Sequence, residues 1–308
     1  MCVSKKKYKI DCSECEYNFA NSETVKDAAQ VVLSKSLYHG TYQHYTTIDK
    51  VVAKIKTKRW YLTRLDSLSI NDFHEAYKYS SREEARRTYI ASFGHFGGES
   101  AAMWSLYGKN SPFACRVSLS KSVMAGWMNS IEGLNFGRRG ESILVNLDPR
   151  TATGNKPVAV KEVCFRDVMY ASVGMEDGRD DERANALSWD FVVCRKIDKE
   201  EVREEVLRGL YAGWIKDSEW RYEQESRLCI RLSKPIQDKA ISIRIPDDVI
   251  RGMKFTLSPW SEKTSQACAE NMIYGALQNG AFDDDNDTRK AKQQLFCSST
   301  LHGALNFK

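Results

Sequence analysis

The segment WRYEQESRLCIRL (220–232) constrains the fold of this 308-residue chain more than any other stretch. A strand turns successive side chains to opposite faces, so its residues sort into two rows. Trp220, Tyr222, Gln224, Ser226, Leu228, Ile230 and Leu232 make one row, mostly apolar; Arg221, Glu223, Glu225, Arg227, Cys229 and Arg231 make the other. The first row asks for a core on one side of a sheet. The second sets two carboxylates and two or three guanidinium groups in line, with same-face neighbours roughly 7 Å apart. Two readings of that row follow. It is a solvated ladder of opposite charges, each pair contributing about 0.2–1 kcal/mol, or a carboxylate fixed by arginine on a rigid strand so that it can meet a developing positive charge.

The remaining elements decide what kind of sheet receives this strand. TYQHYTTIDKVVAKIKTKRWYL (41–62) reads as a strand through Gln43, His44 and Tyr45, then a cap at Thr46 or Thr47. A helix with Ile48, Val51, Val52 and Ile55 on one face follows, and a second strand through Trp60, Tyr61 and Leu62. SREEARRTY (81–89) reads as a short exposed helix, YIASFGHFGG (89–98) as a strand closing in a glycine loop, AAMWSLYGKN (101–110) as a helix and FACRVSLS (113–120) as a strand. Further strands are expected at SILVNL, VAVKEVCF and AISIRI, and helices at 23–36, 184–196, 199–212 and 261–279. GMEDGRDDERAN (174–185) reads as a charged loop. Strands and helices neither alternate strictly nor segregate into blocks, which predicts an α+β fold: a mixed or antiparallel sheet with flanking helices. Neither an internal repeat nor a proline- or serine-rich linker divides the chain. The expected organisation is an N-terminal extension with one helix (1–35) and a single α+β domain (36–308).

Several function classes drop out. Neither GxGxxG after a strand nor GxxxxGK[ST] is present, and DDDND (283–287) lacks the glycine and closing glutamate of a calcium loop. No apolar run reaches the roughly 18–20 residues of a membrane span. The lysines near the start have no apolar segment behind them, so a cytoplasmic protein without membrane association is expected. Nine cysteines, an odd number set mostly in apolar runs, read as reduced and packed thiols. Cys12 and Cys15 form a CxxC without a second half nearby, so no metal site is expected there. The net charge of +5 is mild and spread along the chain. It accommodates a phosphate-bearing ligand or RNA without demanding either.

His44 stands where a strand meets a helix. With Tyr45 and Thr46 it supplies hydrogen-bonding groups just before a helix N-terminus, a place that favours anionic ligands. A lone histidine there also serves well as a structural residue. Tyr38-His39-Gly40-Thr41 imitates the same motif but lacks the helix and strand at the right distance.

Five motifs in order connect these residues: His44-Tyr45-Thr46; Asn71-Asp72 with Glu75; Ser92-Phe93; Met103-Trp104 with Tyr107; and Trp220 with Glu223, Glu225 and Arg227. In order and spacing across residues 42–232 they resemble a prokaryotic family, the domain-of-unknown-function family numbered 2971. Phe73 stands where that family usually has proline, and KNSPFACRV replaces a glycine-containing stretch. The strand–helix–strand opening and late glutamate strand resemble, more distantly, the ADP-ribosyltransferase superfamily in its His–Tyr–Glu branch. That resemblance implies an ADP-ribosyltransferase-like sheet and NAD as substrate, with no metal. Glu225 would be the carboxylate that stabilises the ribosyl cation, with Glu223 beside it and Arg227 keeping it ionised. His44, Tyr45, Thr46 and Ser92 would border the ligand, and Tyr61 or Tyr107 would stack on the nicotinamide. It further implies transfer of ADP-ribose to a macromolecular acceptor, protein or nucleic acid, or NAD glycohydrolysis, by an antiviral-defence or toxin protein with a regulatory partner encoded nearby. A ligand- or RNA-sensing module without catalysis is the alternative, through KTKRW (56–60) and NFGRRG (135–140). A third is a metal-assisted hydrolase using His44, Asp72, His74 and Glu75.

Overall fold

A computed structural model describes residues 8–9, 16–17, 37, 39–67, 81–131, 144–146, 157–173, 187–189, 192–193, 212–278 and 295–302. The strands are β1 (Tyr8–Lys9), β2 (Glu16–Tyr17), β3 (Thr41–Thr47), β4 (Arg59–Arg64), β5 (Thr88–Gly94), β6 (Ala114–Ser120), β7 (Leu144–Asn146) and β8 (Pro157–Asp167). They continue with β9 (Met169–Val173), β10 (Leu187–Trp189), β11 (Val192–Val193), β12 (Ile215–Asp217), β13 (Glu225–Leu232), β14 (Ala240–Arg244), β15 (Lys254–Leu257) and β16 (Phe296–Cys297). The helices are α1 (Ile48–Thr57), α2 (Arg82–Arg87), α3 (Ala101–Gly108), α4 (Lys121–Ser130), α5 (Asp247–Arg251) and α6 (Lys263–Gln278). Pairing is mixed, with β12 parallel to β9 and β15 parallel to β16 among antiparallel neighbours. The chain is a mixed α/β protein, and among the described residues no helix is long and apolar enough to cross a membrane.

The residues gather into two compact units. One comprises Met1–Tyr38, Tyr61–Ser92 and Asn135–Ile241; the other comprises His39–Trp60, Phe93–Leu134 and Ser242–Lys308. In the second unit β6 runs antiparallel between β3 and β15. Helix α1 forms as its apolar spacing predicts: Ile48, Val51 and Ile55 are buried and the helix packs against α6. It ends at Lys58, whose left-handed backbone (φ 50°) returns its N–H to the Ile55 carbonyl. Helix α4 was not anticipated from the sequence. Ser120 caps it by accepting from the Val123 N–H, and Met124, Trp127 and Met128 recur at helical spacing on its buried side. Trp127 lies 5.3 Å from Trp60, which stacks on Phe93 at 5.2 Å, so three large rings fill this core.

In the first unit β13 pairs antiparallel with β8, from Ser226 opposite Asp167 to Leu232 opposite Val160, with a bulge at the end. All eight residues of β13 are buried, so the charged row is not the solvated ladder that alternation alone allows. A second correction concerns where the strand starts. Ser218–Glu223 form a 3₁₀ turn, and Gln224 at φ 39° breaks the extended chain before Glu225. Trp220, Tyr222 and Glu223 therefore do not belong to a strand row. A third correction is at 184–196, where the expected helix gives way to β10 and β11, in keeping with the β-branched and aromatic run there. The short helix expected at 81–89 stops at Arg87, and its Glu84 and Ala85 are buried rather than exposed. The helix expected at 23–36, residues 199–211 of the helix expected at 199–212, the charged loop, Cys12, Cys15 and Asn71 through Glu75 lie outside the described residues; Ala212 is in a turn. Cys115, Cys164 and Cys229 are buried free thiols, while Cys268 and Cys297 are exposed.

Candidate functional site

The first unit holds four buried charges in contact: Lys216, Glu223, Glu225 and Arg227, each at most 3 % exposed. Glu225 and Arg227 are same-face neighbours on β13, which lets the guanidinium fold back along the strand. Arg227 Nε donates to Glu225 Oε1 at 2.6 Å and Nη2 donates to Oε2 at 2.9 Å. Planar two-point pairing of this kind fixes both groups in orientation. The third arm, Nη1, donates to the Gly213 carbonyl at 2.9 Å. Gly213 presents that carbonyl from the left-handed region (φ 81°), where a side chain's Cβ would also crowd Ile90 at 3.3 Å.

Lys216, on β12, joins the second carboxylate to the first. Its Nζ donates to Glu223 Oε2 at 2.6 Å and lies 3.5 Å from Glu225 Oε2. Two carboxylates and two cations leave the cluster neutral, the condition under which charges tolerate burial. The backbone of Glu225 is also held, its N–H donating to the Tyr170 hydroxyl at 2.8 Å and its carbonyl accepting from the Val168 N–H at 2.8 Å. Burial by itself would push the Glu225 carboxyl up. The charges of Arg227 and Lys216, with hydrogen bonds from Arg227 and Ser92, outweigh it and hold the group at about 2, below its ordinary 4.5. The Tyr170 hydroxyl is pushed well up by burial and by the Glu225 charge. On the opposite face of β13, Ser226 Oγ donates to Asp167 Oδ1 at 2.5 Å.

The structure thus brings together Glu223, Glu225, Arg227 and Ser92, all in the first unit. Ser92 is exposed on β5 while its hydroxyl reaches the buried Glu225 carboxylate. Tyr61 lies half-buried on β4 in the same unit. His44, Tyr45, Thr46 and Tyr107 belong to the second unit. His44 is half-buried with its ring edge-on to Trp60 at 4.9 Å, an aromatic setting. Thr46 shares that face of β3, whereas Tyr45 points the other way, so the three consecutive residues do not face one ligand. The Tyr45 hydroxyl accepts from the Ser100 N–H at 3.0 Å, ahead of α3. Tyr107 is 42 % exposed on α3. The histidine of the imitating motif, His39, is buried and stacks on His95 at 3.6 Å. Trp60 of KTKRW is 1 % exposed and offers no face for a base.

Sequence reasoning missed Lys216, Tyr170 and Gly213. Lys216 sits between Ile215 and Asp217 in a three-residue strand, where no pattern separates a buried lysine from a solvated one. The fold and site define a mixed α/β protein with a neutral, buried ion-pair cluster beneath an exposed serine. Compared with known protein families, curated protein sequences and solved structures, the chain gives no match.

Proposed function

We propose that this chain is an NAD-consuming protein of the ADP-ribosyltransferase kind, transferring ADP-ribose to a macromolecule or hydrolysing NAD, with Glu225 as the essential carboxylate. One observation carries the reading: Glu225 is held ionised and oriented by Arg227 and Lys216 directly under the solvent-facing Ser92. Cleaving the nicotinamide–ribose bond creates an oxocarbenium-like centre, as in glycoside cleavage. A fixed carboxylate in a water-poor site stabilises such a centre, and single electrostatic groups of this type contribute about 10²–10³ in rate. Ligand access would be from the Ser92 side, where the serine hydroxyl can exchange its bond to Glu225 for one to a ribose. The motif resemblance supplies the choice of NAD.

A second reading, a binding module without catalysis, is favoured by a specific feature. Both Glu225 oxygens are already engaged by Arg227, and neither carboxylate of the pair is exposed beyond 3 %. Incubating purified protein with NAD labelled separately in the nicotinamide and adenylate parts, with and without cell lysate, decides between them. Nicotinamide release, with or without label transfer, supports the enzyme. Binding without release supports the module.

A further inference from the structure

The motif containing the two carboxylates begins with an aromatic–basic–aromatic run, Trp220-Arg221-Tyr222, which the chemistry above leaves unused. The 3₁₀ turn Ser218–Glu223 turns these residues outward. Tyr222 is 40 % exposed, Arg221 is exposed and Trp220 is half-buried. The two rings are adjacent, with centroids 6.0 Å apart and planes inclined by 40°. Lys216 Nζ lies 5.0 Å from the Trp220 ring centroid, and this same ammonium bonds Glu223 and neighbours Glu225. The ring pair is therefore one lysine away from both carboxylates.

A flat, exposed ring at Tyr222, backed by the half-buried ring of Trp220 and beside a guanidinium, matches the chemistry of an unpaired base and its phosphate. Every base has a stackable face, and such stacking contributes enough that removing one ring weakens binding several-fold or more. A duplex hides those faces, so the match is to a single strand. The phosphates meet no opposing field from Glu223 and Glu225, because Lys216 and Arg227 neutralise them, and Arg221 offsets the exposed Glu219 of the same turn. A protein segment has no comparable succession of flat faces next to regularly spaced anions.

We propose that Trp220, Arg221 and Tyr222 form a platform for an unpaired base of single-stranded nucleic acid, making nucleic acid the acceptor class at the neighbouring carboxylates. The platform stands on its own geometry; its role as acceptor site rests on the NAD reading. In the transfer, a base nitrogen or oxygen bonds to the ribosyl C1′ as the C1′–N bond to nicotinamide breaks. The pyridinium takes the bonding pair and leaves as neutral nicotinamide, and the base gives its proton to solvent.

The test is fluorescence anisotropy with labelled, unstructured oligomers of about twelve nucleotides, as RNA and as DNA, with a duplex control. Wild type is expected to bind at least one single strand in preference to the duplex. Tyr222→Phe should keep that affinity within about twofold, and Tyr222→Leu should lose at least about fivefold. Arg221→Ala should reduce the salt dependence by about one phosphate contact. Tyr222 is exposed, so Tyr222→Leu should fold, which a thermal melt checks. Failure of wild type to bind either single strand, or equal binding by Tyr222→Leu, overturns the platform even when NAD is cleaved. Oligomer binding that depends on Tyr222 without NAD cleavage supports the platform and overturns its role as acceptor site. Label transferred from NAD to protein alone also overturns that role.

Discussion

Arg227 carries the largest structural weight of any single residue at the site. It is 1 % exposed and meets Glu225 twice and the Gly213 carbonyl once. Arg227→Leu removes these three bonds and leaves Lys216 as the cation beside Glu225, with Ser92 still bonded to its carboxylate, so chemical denaturation should show a loss of about 3–5 kcal/mol. The same pairing sets a pH dependence. The folded Glu225 carboxyl titrates at about 2 against an ordinary 4.5, so the folded state favours the ionised form. The resulting stabilisation is fully present above about pH 4.5 and is lost as the pH falls towards about 2. A series of denaturation midpoints should show that slope in wild type and a shallower one in Glu225→Gln. That substitution also leaves Arg227 short of a counter-charge, so it destabilises the fold and activity must be compared per folded molecule.

At the scale of elements, Glu223 and Glu225 come together by a route the alternation pattern does not contain. The pattern places them two residues apart on one strand face; instead Glu223 closes a 3₁₀ turn, Gln224 reverses the chain at φ 39°, and Lys216 draws both carboxylates to one ammonium. Gln224→Gly relieves the left-handed backbone and should raise the denaturation midpoint, by up to about 1 kcal/mol in stability. A fall of that size would show that the turn is held by the glutamine side chain. Ser120→Ala removes the cap of α4 and should cost about 1 kcal/mol on the same measurement. Elements with strong local signals were legible: α1 from Ile48, Val51 and Ile55, and β6 and β13 from their apolar alternation. The site was legible only in part. Glu225 and Arg227 are joined by strand periodicity, which sequence reveals. Lys216 and Tyr170 stand opposite each other in the long-range pairing of β12 with β9, and Gly213 lies in the turn just before β12; neither placement leaves a local trace.

For the whole molecule, the two units divide the residues that the motifs had linked in one order along the chain. The first holds the ion-pair cluster, Ser92 and the ring pair of Trp220 and Tyr222; the second holds His44 within an aromatic core. Glu223 and Glu225 are both buried, so a working site requires the Ser92 side to open to a ribose. The most direct measurement is nicotinamide release from NAD by wild type and by Glu225→Gln, normalised to the folded fraction by circular dichroism. Release by wild type that falls at least about a hundredfold in Glu225→Gln is the expected result. Equal turnover by the folded variant, or no release by wild type, would contradict an NAD-cleaving role for Glu225.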